Sequence, residues 1–290
     1  MSPAADAPAD PAGPVEPPEA LRAAVEALAV RRPTLVCLDF DGCVAELADD
    51  PAAVAPVPAN AAAVERLAAL DDVVVAYVSG RPLEQLRALA APPAGVLLVG
   101  SHGAEQDLGA DAAPLQLTAA QRRTREQVLE LLEELANRVD GALVERKPAG
   151  AALHVRAVAD AAAAEALLVE AHEAAAAVDG AHPKDGKMVV EVPVVHATKG
   201  EAIRTLRRRT GAAAVFFAGD DVTDEQGFAV LGDDDVGVKV GTGETLAGHR
   251  IAAPSDLAGV LAALAARAEA RGADAPPRST PTRPGAAPDA

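Results

Sequence analysis

The sequence predicts an α/β fold, in which a parallel sheet forms a core and an inserted α+β unit covers it. Short apolar runs rich in Val and Leu alternate with helical patterns at both ends of the chain. Strands of this kind, buried on both faces, are typical of parallel sheets covered by helices. The middle of the chain differs, because a long helical pattern there precedes strand patterns with alternating polarity.

The core elements follow one another in a regular order. Five apolar runs predict core strands at Leu35–Leu38, Val73–Val78, Val96–Val99, Ala213–Phe217 and Val236–Val240. Helices are predicted at about 59–70, 82–90, 199–209, 222–230 and 255–268. Because ligands bind at the carboxyl ends of the strands in such sheets, residues just after each strand are candidates for chemistry.

The inserted unit, or cap, is predicted to interrupt the sheet after its third strand. Its patterns indicate a helix at about 118–138, strands at 142–147 and 151–156, a helix at 160–177 and a strand at 187–192. The predicted domains are a core of residues 18–110 and 196–269 and a cap of residues 111–195. Residues 1–17 and 270–290 are Pro- and Ala-rich tails without periodicity, predicted to be disordered.

Composition limits the classes of partner. The formal net charge is −17, and the chain has four Phe, one Tyr and no Trp. A nucleic-acid binder would need a basic groove and stacking platforms, so nucleic acid and anionic membranes are not expected partners. Residues 1–19 lack the positive region and the apolar core typical of a signal peptide, so none is expected, and no apolar run approaches about 20 residues. With only Cys37 and Cys43 available for disulfides, a cytoplasmic location is expected.

The most informative motif is Asp39-Phe40-Asp41-Gly42, which follows the first predicted strand. Two carboxylates one residue apart suit phosphoryl transfer, since one can attack phosphorus while the other moves the leaving-group proton. Gly42 would let the backbone turn sharply. The same pattern also occurs as a metal–nucleotide clamp in glycosyltransferases and as a solvated acidic pair in turns, so the motif alone leaves these alternatives open.

Two further motifs begin helices. Ser79-Gly80-Arg81 offers a hydroxyl and backbone N–H groups to a phosphate at a strand-to-helix turn, although Ser79 could equally be an ordinary N-cap. Lys199 opens another predicted helix. A lysine there opposes the helix dipole, so the position favours a functional role, such as holding an anionic phosphoryl group.

The last motif is acidic. Asp220, Asp221 and Asp224 follow a predicted strand, and their charges repel one another unless a hard cation such as Mg²⁺ neutralises them. Asp224 would also suit the first turn of a helix. The run Asp233-Asp234-Asp235 lies in a loop before a strand and is interpreted as a solvated turn.

In this order the motifs resemble the haloacid dehalogenase superfamily of phosphohydrolases, over about residues 30–265. The resemblance implies a Rossmann-like core of that type. It implies that Asp39 is a nucleophile forming an aspartyl-phosphate, and that Asp41 is the general acid and later the base. Ser79 and Lys199 would hold the phosphate.

The same resemblance implies Mg²⁺ as cofactor. Asp39, the Asp41 carbonyl and Asp220 would bind the ion, with Asp221 and Asp224 as further ligands or just outside them.

The cap contains no aromatic residue between Asp111 and Val195, so polar and charged side chains would have to hold a sugar there. Alternate residues of a strand share a face. The candidates that satisfy this spacing are the pairs Glu145 and Lys147, His154 and Arg156, and Lys187 and Glu191. Spacing alone would also fit solvated faces or ion pairs.

Several segments resemble the trehalose-6-phosphate phosphatase family more narrowly. They are Asp50-Pro51, Ser79-Gly80-Arg81, Gly100 to Glu105, Glu145-Arg146-Lys147, His154-Val155-Arg156 and Gly186 to Glu191. The substrate contacts that the resemblance implies are Arg81, His102, Glu145, Lys147, His154, Arg156, Lys187 and Glu191. The chain departs from the family pattern at Cys43, Val155 and Thr198, where Thr, an aromatic residue and Asp are usual.

The implied function is a stand-alone trehalose-phosphatase, acting at the last step of trehalose biosynthesis on a small sugar phosphate. Transient contact with a trehalose-6-phosphate synthase is an expected partnership. Within the same superfamily, the alternatives are phosphatases of sucrose phosphate, mannosylglycerate phosphate or hexose phosphates. A metal-dependent glycosyltransferase would leave Lys199 and the late acidic motif without a role. A non-catalytic sugar-phosphate sensor would be expected to lack a catalytic group.

Overall fold

A computed structural model of the protein describes residues 15–48, 50–109 and 115–273. The strands in these ranges are β1 (Thr34–Leu38), β2 (Val73–Val78), β3 (Leu97–Gly100), β4 (Glu105–Asp107), β5 (Leu143–Lys147), β6 (Gly150–His154), β7 (Lys184–Gly186), β8 (Val189–Pro193), β9 (Ala214–Gly219), β10 (Val236–Val240) and β11 (His249–Ile251). The α-helices are α1 (Glu19–Ala29), α2 (Pro58–Ala68), α3 (Leu83–Ala90), α4 (Ala119–Ala136), α5 (Ala161–Ala176), α6 (Lys199–Thr210), α7 (Glu225–Phe228) and α8 (Leu257–Ala273). None of the helices in the described ranges is both long and apolar enough to cross a membrane.

The larger sheet is parallel except at one edge. Its described strands lie in the order β11-β10-β9-β1-β2-β3-β4, and only β3 and β4 pair antiparallel. Leu38 at the end of β1 pairs with Tyr77 of β2 and with Ala218 of β9. The residues that follow these three strands therefore meet at one edge of the sheet. The predicted α/β fold class is confirmed.

The composition of β1 explains its central position. All five of its residues are buried, and they alternate between two apolar clusters. Val36 and Leu38 pack on the side that holds α1 and α8, whereas Leu35 and Cys37 pack on the side that holds α6. A strand covered on both faces is expected to be apolar, as Leu35–Leu38 are, and the hydroxyl of buried Thr34 at its start donates to the Arg31 carbonyl.

The cap is a second, antiparallel sheet with strand order β5-β6-β8-β7 in the described residues. Apolar side chains from α4 and α5 pack on one of its faces. On the other face, Glu145, Ala152 and Glu191 form one row across three strands. The polar row follows from strand alternation, which sends every second residue away from the helices.

The elements differ from the prediction in several places. The helix α1 and the short strands β4, β7 and β11 were not expected. The amphipathic pattern of α1, with Leu21, Val25 and Leu28 buried, lies directly after the Pro-rich segment that masked it. The sheet also adds β4 before the chain enters the cap, so the interruption comes one strand later than predicted.

The tails are described only in part. The helix α8 continues to Ala273, so the prediction of a tail from residue 270 is wrong for residues 270–273. Residues 1–14 and 274–290, which make up most of the two predicted tails, lie outside the described ranges. The first residues of the predicted cap, 111–114, lie outside them as well.

The interpretation of Asp233-Asp234-Asp235 as a solvated turn is wrong for Asp235. Its side chain is buried and accepts hydrogen bonds from the backbone N–H groups of Val215 and Gly232, both at 2.8 Å. Arg207 donates to the same carboxylate at 2.6 Å. The carboxylate thus satisfies backbone groups at the start of β9, a role that composition alone does not reveal.

Asn60 ties the loop after β1 to the segment before α8. It is fully buried, and its side-chain amide donates to the carbonyls of Val44 and Pro254, both at 3.0 Å. The first of these carbonyls belongs to the loop that carries Gly42. Asn60 therefore holds the loop after β1 against the C-terminal part of the core.

Replacing Asn60 by Ala should lower the free energy of unfolding by about 2 kcal/mol, because it removes the two hydrogen bonds that this buried amide donates to Val44 and Pro254. Urea denaturation measures this value. Asn137→Ala is the matched control, since Asn137 is exposed and should change stability by less than about 0.5 kcal/mol. Equal stability of the two variants would contradict the role given to Asn60.

Candidate active site

The centre of the site is a buried lysine between two buried carboxylates. Asp39 follows β1 and is 4% exposed, and Lys199 begins α6 and is 2% exposed. The Lys199 Nζ atom lies 2.8 Å from Asp39 Oδ1 and donates to Asp224 Oδ1 at 2.7 Å. The Thr198 hydroxyl caps α6 by accepting from an N–H of the first turn, which offsets the unfavourable placement of a lysine there.

Electrostatics in this group follow from burial. Burial first, and then the charge of Asp224, raises the pKa of Asp39 well above its ordinary value. The same two causes raise the pKa of Asp220 to about 6. Burial acts to lower the pKa of Lys199, but the charges of Asp39 and Asp224 have the larger effect, so the pKa is raised. A further positive charge among these carboxylates would therefore lower their pKa values and stabilise their ionised forms.

The carboxylates are arranged so that a divalent cation fits among them. One oxygen from each of Asp39, Asp220 and Asp224 lies within 4.8 Å of the others. Gly42 makes room for this arrangement, because it has a φ of +71° and a Cβ there would lie 2.0 Å from Asp220 Oδ2. Asp221 is exposed and outside this group of described residues, and its N–H donates to Asp224 at 2.9 Å. A donor set of oxygen atoms suits Mg²⁺.

Asp41 is held by Arg81. Two guanidinium nitrogens of Arg81 donate to the two Asp41 oxygens, each at 2.6 Å, and a third donates to the Pro51 carbonyl at 2.9 Å. The guanidinium also lies over the Phe40 ring. Arg81, expected from the sequence to contact substrate, thus contacts the expected general acid here.

Ser79 lies at the end of β2 and is almost completely buried. Its hydroxyl accepts from the backbone N–H of Arg81 at 3.1 Å. Because α3 begins at Leu83 after Pro82, with no side-chain cap, the alternative interpretation of Ser79 as a helix N-cap is wrong.

His102 projects from a strained turn after β3. Ser101 and His102 have φ values of 48° and 55°, in the left-handed region that side chains rarely adopt. Backbone hydrogen bonds to the carbonyls of Arg81 and Ser79, at 2.8 and 3.0 Å, hold the two residues. A Cβ at Gly80 would lie 2.5 Å from the His102 ring. Such strain is typical of functional sites.

The polar face of the cap meets the core at this turn. Lys147 Nζ lies 2.5 Å from Glu191 and 3.8 Å from Glu145, while His154 Nε2 lies 3.0 Å from Glu145. Two residues of the core contact this network, which we call the cap–core network. His102 Nε2 lies 3.6 Å from Glu191, and Gln85 of α3 donates to Glu145 at 3.3 Å.

One family model matches most of the chain, including both the core and the cap. The model of the family described as trehalose-phosphatase matches residues 37–260. This range includes every expected site residue, from Asp39 to Asp224. The chain belongs to the trehalose-phosphatase family. The resemblance noted in the sequence is thereby confirmed.

Individual members of the trehalose-phosphatase family are similar over most of the chain. The trehalose-phosphate phosphatase of Mycobacterium marinum is 33% identical, covering 78% of this chain and 58% of the relative. The trehalose-6-phosphate phosphatase of Escherichia coli is 34% identical, and the match covers 76% of this chain and 82% of the relative. A bifunctional trehalose-6-phosphate synthase/phosphatase of Thermoproteus tenax is 35% identical, covering 75% of this chain but 30% of the relative. The chain thus spans less than two thirds of the mycobacterial relative.

The fold is shared with solved structures of the same family. The C-terminal domain of a trehalose-6-phosphate phosphatase from C. albicans has a TM-score of 0.73 at 19% identity. The match covers 88% of this chain and 99% of that domain. At this identity the likeness concerns the fold alone, and it agrees with a core of the haloacid dehalogenase type carrying a cap.

Two of the substrate contacts expected from the family lie at strand ends. Arg156 is two residues beyond β6, and Lys187 lies in the turn between β7 and β8, and both are exposed. The strand-face spacing used to pair Lys187 with Glu191 does not apply, because Lys187 is outside the strand.

Three residues at the site were missed by sequence reasoning. Glu105 accepts from the Ser101 hydroxyl at 2.5 Å, Gln85 contacts Glu145, and Lys239 contacts the loop after β9. Only Lys239 gave a usable signal. A lysine inside the apolar strand Val236–Val240 needs a buried partner, since lysine is rarely buried without one.

The cap–core network lowers the pKa of two carboxyl groups. Burial acts to raise the pKa of Glu191, but the hydrogen bond from His102 and the charge of Lys147 lower it to about 2. The hydrogen bond from His154 is the largest cause that lowers the pKa of Glu145. Both carboxylates are therefore charged acceptors at neutral pH.

Glu191 should make stability depend on acid pH. Since its pKa is lowered in the fold, its contribution is fully present above about pH 4.5 and is lost as the pH falls towards 2. The difference in unfolding free energy between the wild type and Glu191→Gln should therefore shrink by about 2 kcal/mol between pH 6 and pH 2.5. Urea titrations over this range measure it. A difference for Glu191→Gln that stays constant over this pH range would refute the assignment.

Proposed function

We propose that this chain is a phosphatase that hydrolyses trehalose 6-phosphate to trehalose and phosphate, the last step of trehalose biosynthesis. The observation that carries the proposal is the buried contact of Lys199 with Asp39, next to Asp220 and Asp224. It lies inside the region that matches the trehalose-phosphatase family. A glycosyltransferase would have no use for this lysine, and a sensor no need of the intact carboxylates.

In the proposed reaction, an oxygen of Asp39 attacks phosphorus and the bond between phosphorus and the sugar oxygen breaks. Asp41 gives its proton to the departing sugar oxygen, so trehalose leaves as the alcohol. Water then attacks phosphorus, the bond between phosphorus and the Asp39 oxygen breaks to release phosphate and the free carboxylate, and Asp41 takes up a proton from this water. Covalent catalysis of this kind divides one difficult displacement into two steps.

Lys199 and Ser79 would hold the phosphoryl oxygens. Lys199 already supplies the positive charge at Asp39, and Ser79 lies at the end of the neighbouring strand. Asp41 must leave Arg81 before it can transfer a proton, because both of its oxygens are engaged by the guanidinium. The phosphate dianion of the substrate is a suitable new partner for Arg81.

A Mg²⁺ ion would be held by Asp39, Asp220 and the Asp41 carbonyl, with Asp224 beside them and Asp221 further out. Once bound, the ion would neutralise charge that develops on the phosphoryl group. The oxygen donors, and the raised pKa that burial and the charge of Asp224 give Asp220, support this proposal.

The cap would select the sugar. Glu145, Lys147, Glu191 and His154, together with His102 of the core, present charged and hydrogen-bonding groups where aromatic residues are lacking. Arg156 and Lys187 would approach from the strand ends. The pocket that His102, Lys147 and Glu191 line between the core and the cap has a volume of about 20 Å³. Ligand pockets usually measure some hundreds of Å³, so we infer that the cap moves away to admit the substrate.

A synthase that makes trehalose 6-phosphate is proposed as a transient partner. The Thermoproteus tenax relative, named for both activities, supports this proposal. We also propose a cytoplasmic location, since Cys37 and Cys43 are both free and buried.

Phosphate release from trehalose 6-phosphate, with Mg²⁺ and with EDTA, tests the function. Sucrose 6-phosphate and glucose 6-phosphate are the comparison substrates. A strong, Mg²⁺-dependent preference for trehalose 6-phosphate would support both the chemistry and the role of the cap. Equal hydrolysis of all three would retain the phosphatase but reject the sugar assignment, whereas no release from any would reject the proposed activity.

Replacing Asp39 by Asn should lower kcat by a factor on the order of 10³ or more, because the amide cannot attack phosphorus. Circular dichroism and thermal unfolding should show a folded protein. The control is Asp233→Asn in an exposed loop, which should leave kcat unchanged. Retained activity of Asp39→Asn would eliminate Asp39 as nucleophile.

Replacing Lys147 by Met should raise KM for trehalose 6-phosphate about tenfold or more, since it removes a charge that contacts Glu145 and Glu191. Hydrolysis of p-nitrophenyl phosphate, which offers no sugar to the cap, should change little. Arg146→Met is the matched control, because Arg146 lies on the opposite face of β5 and pairs with Glu133 of α4. If both substrates lose activity equally, Lys147 does not act in sugar recognition.

A further inference from the structure

Lys239 is a buried cation that the proposed reaction does not use. It lies on β10, is 4% exposed, and pairs in register with Gly219, the last residue of β9. All residues of β10 are buried. A lysine in such a place is stable only when its ammonium finds partners, because an unpaired buried charge is very costly.

The partners of Lys239 belong to the acidic loop of the active site. Its Nζ donates to the backbone carbonyl of Asp220 at 2.6 Å and lies 3.4 Å from that of Asp221. The Glu225 carboxylate lies 3.7 Å away, at the start of α7. Lys239 thus contacts the backbone of Asp220 while leaving the Asp220 carboxylate to face Asp39 and Asp224.

We propose that Lys239 is a positioning residue for the divalent-cation site. By holding the carbonyls of Asp220 and Asp221, it fixes the backbone that carries the Asp220 carboxylate. Lys199 bridges Asp39 and Asp224, but repulsion between the three carboxylates acts to move Asp220 away from the other two. Lys239 supplies the opposing restraint from behind the loop, through the backbone. The inference rests on the proposed function only in that the site binds a divalent cation.

A purely structural lysine would behave differently. Its loss would lower stability but would leave the affinity for the cation unchanged in the molecules that remain folded. A positioning residue instead alters the geometry of the ligand oxygens. Its loss must then weaken the binding of the cation itself, even in the absence of substrate.

The experiment is calorimetric titration of Mg²⁺ into the substrate-free full chain, for wild type, Lys239→Met and Lys239→Arg. Arg209→Met is the control, because it removes one positive charge from an exposed position of α6. We expect Lys239→Met to weaken Mg²⁺ binding at least tenfold and Lys239→Arg to restore part of it. Arg209→Met should stay within twofold of wild type.

A folded Lys239→Met variant that binds Mg²⁺ within threefold of wild type would overturn the proposal, as would a wild type that binds no Mg²⁺. If Lys239→Met does not fold, Lys239→Ala takes its place, since it removes the donor without placing a long apolar chain against the carbonyls, and the same threshold applies. Activity assays give a second readout. The Mg²⁺ concentration for half-maximal rate should rise in the variant.

The two proposals fail separately. If wild type binds Mg²⁺ but does not hydrolyse trehalose 6-phosphate, the proposed function is rejected and Lys239 keeps its role. If it hydrolyses trehalose 6-phosphate with an unchanged Mg²⁺ affinity in the Lys239 variants, the function stands and the role of Lys239 is rejected.

Discussion

The contact of Lys199 with Asp39 and Asp224 is the constraint on which the rest of the site depends. All three side chains are buried, and a buried charge that loses its partner is strongly destabilising. These three residues therefore force the end of β1, the start of α6 and the segment after β9 to meet at one point. Parallel strands bring their carboxyl ends to the same edge, so the fold provides this meeting point.

Around this centre, three cations hold the acidic residues of the site, each from a different element of the fold. Lys199 contacts the carboxyl groups of Asp39 and Asp224, Arg81 engages both oxygens of Asp41, and Lys239 holds the backbone of Asp220. The chain carries a net charge of −17, so the surrounding field offers no help to an anionic substrate. Local placement of a few buried cations is what makes an anion site tenable in such a protein.

In the proposed function the cap has a different task, the recognition of a polar ligand without aromatic rings. Its residues Glu145, Lys147 and Glu191 satisfy one another and reach His102 and Gln85 of the core. Hydroxyl groups of a sugar offer the same donors and acceptors as these side chains. The network can therefore exchange internal contacts for ligand contacts without leaving a buried charge unpaired, which is why charged residues suit this interface.

By itself, the sequence determined the α/β class, the inserted cap and the residues that follow the strands, such as Asp39 and Asp220. These follow from local patterns, since apolar strands and the residues after them are read along one stretch of chain. Tertiary structure alone decided that Arg81 holds Asp41, that Asp235 is buried and that Lys239 restrains the acidic loop. Such contacts join residues about 20 to 40 positions apart. Their partners are chosen by the packing of strands and helices, and no local pattern encodes that choice.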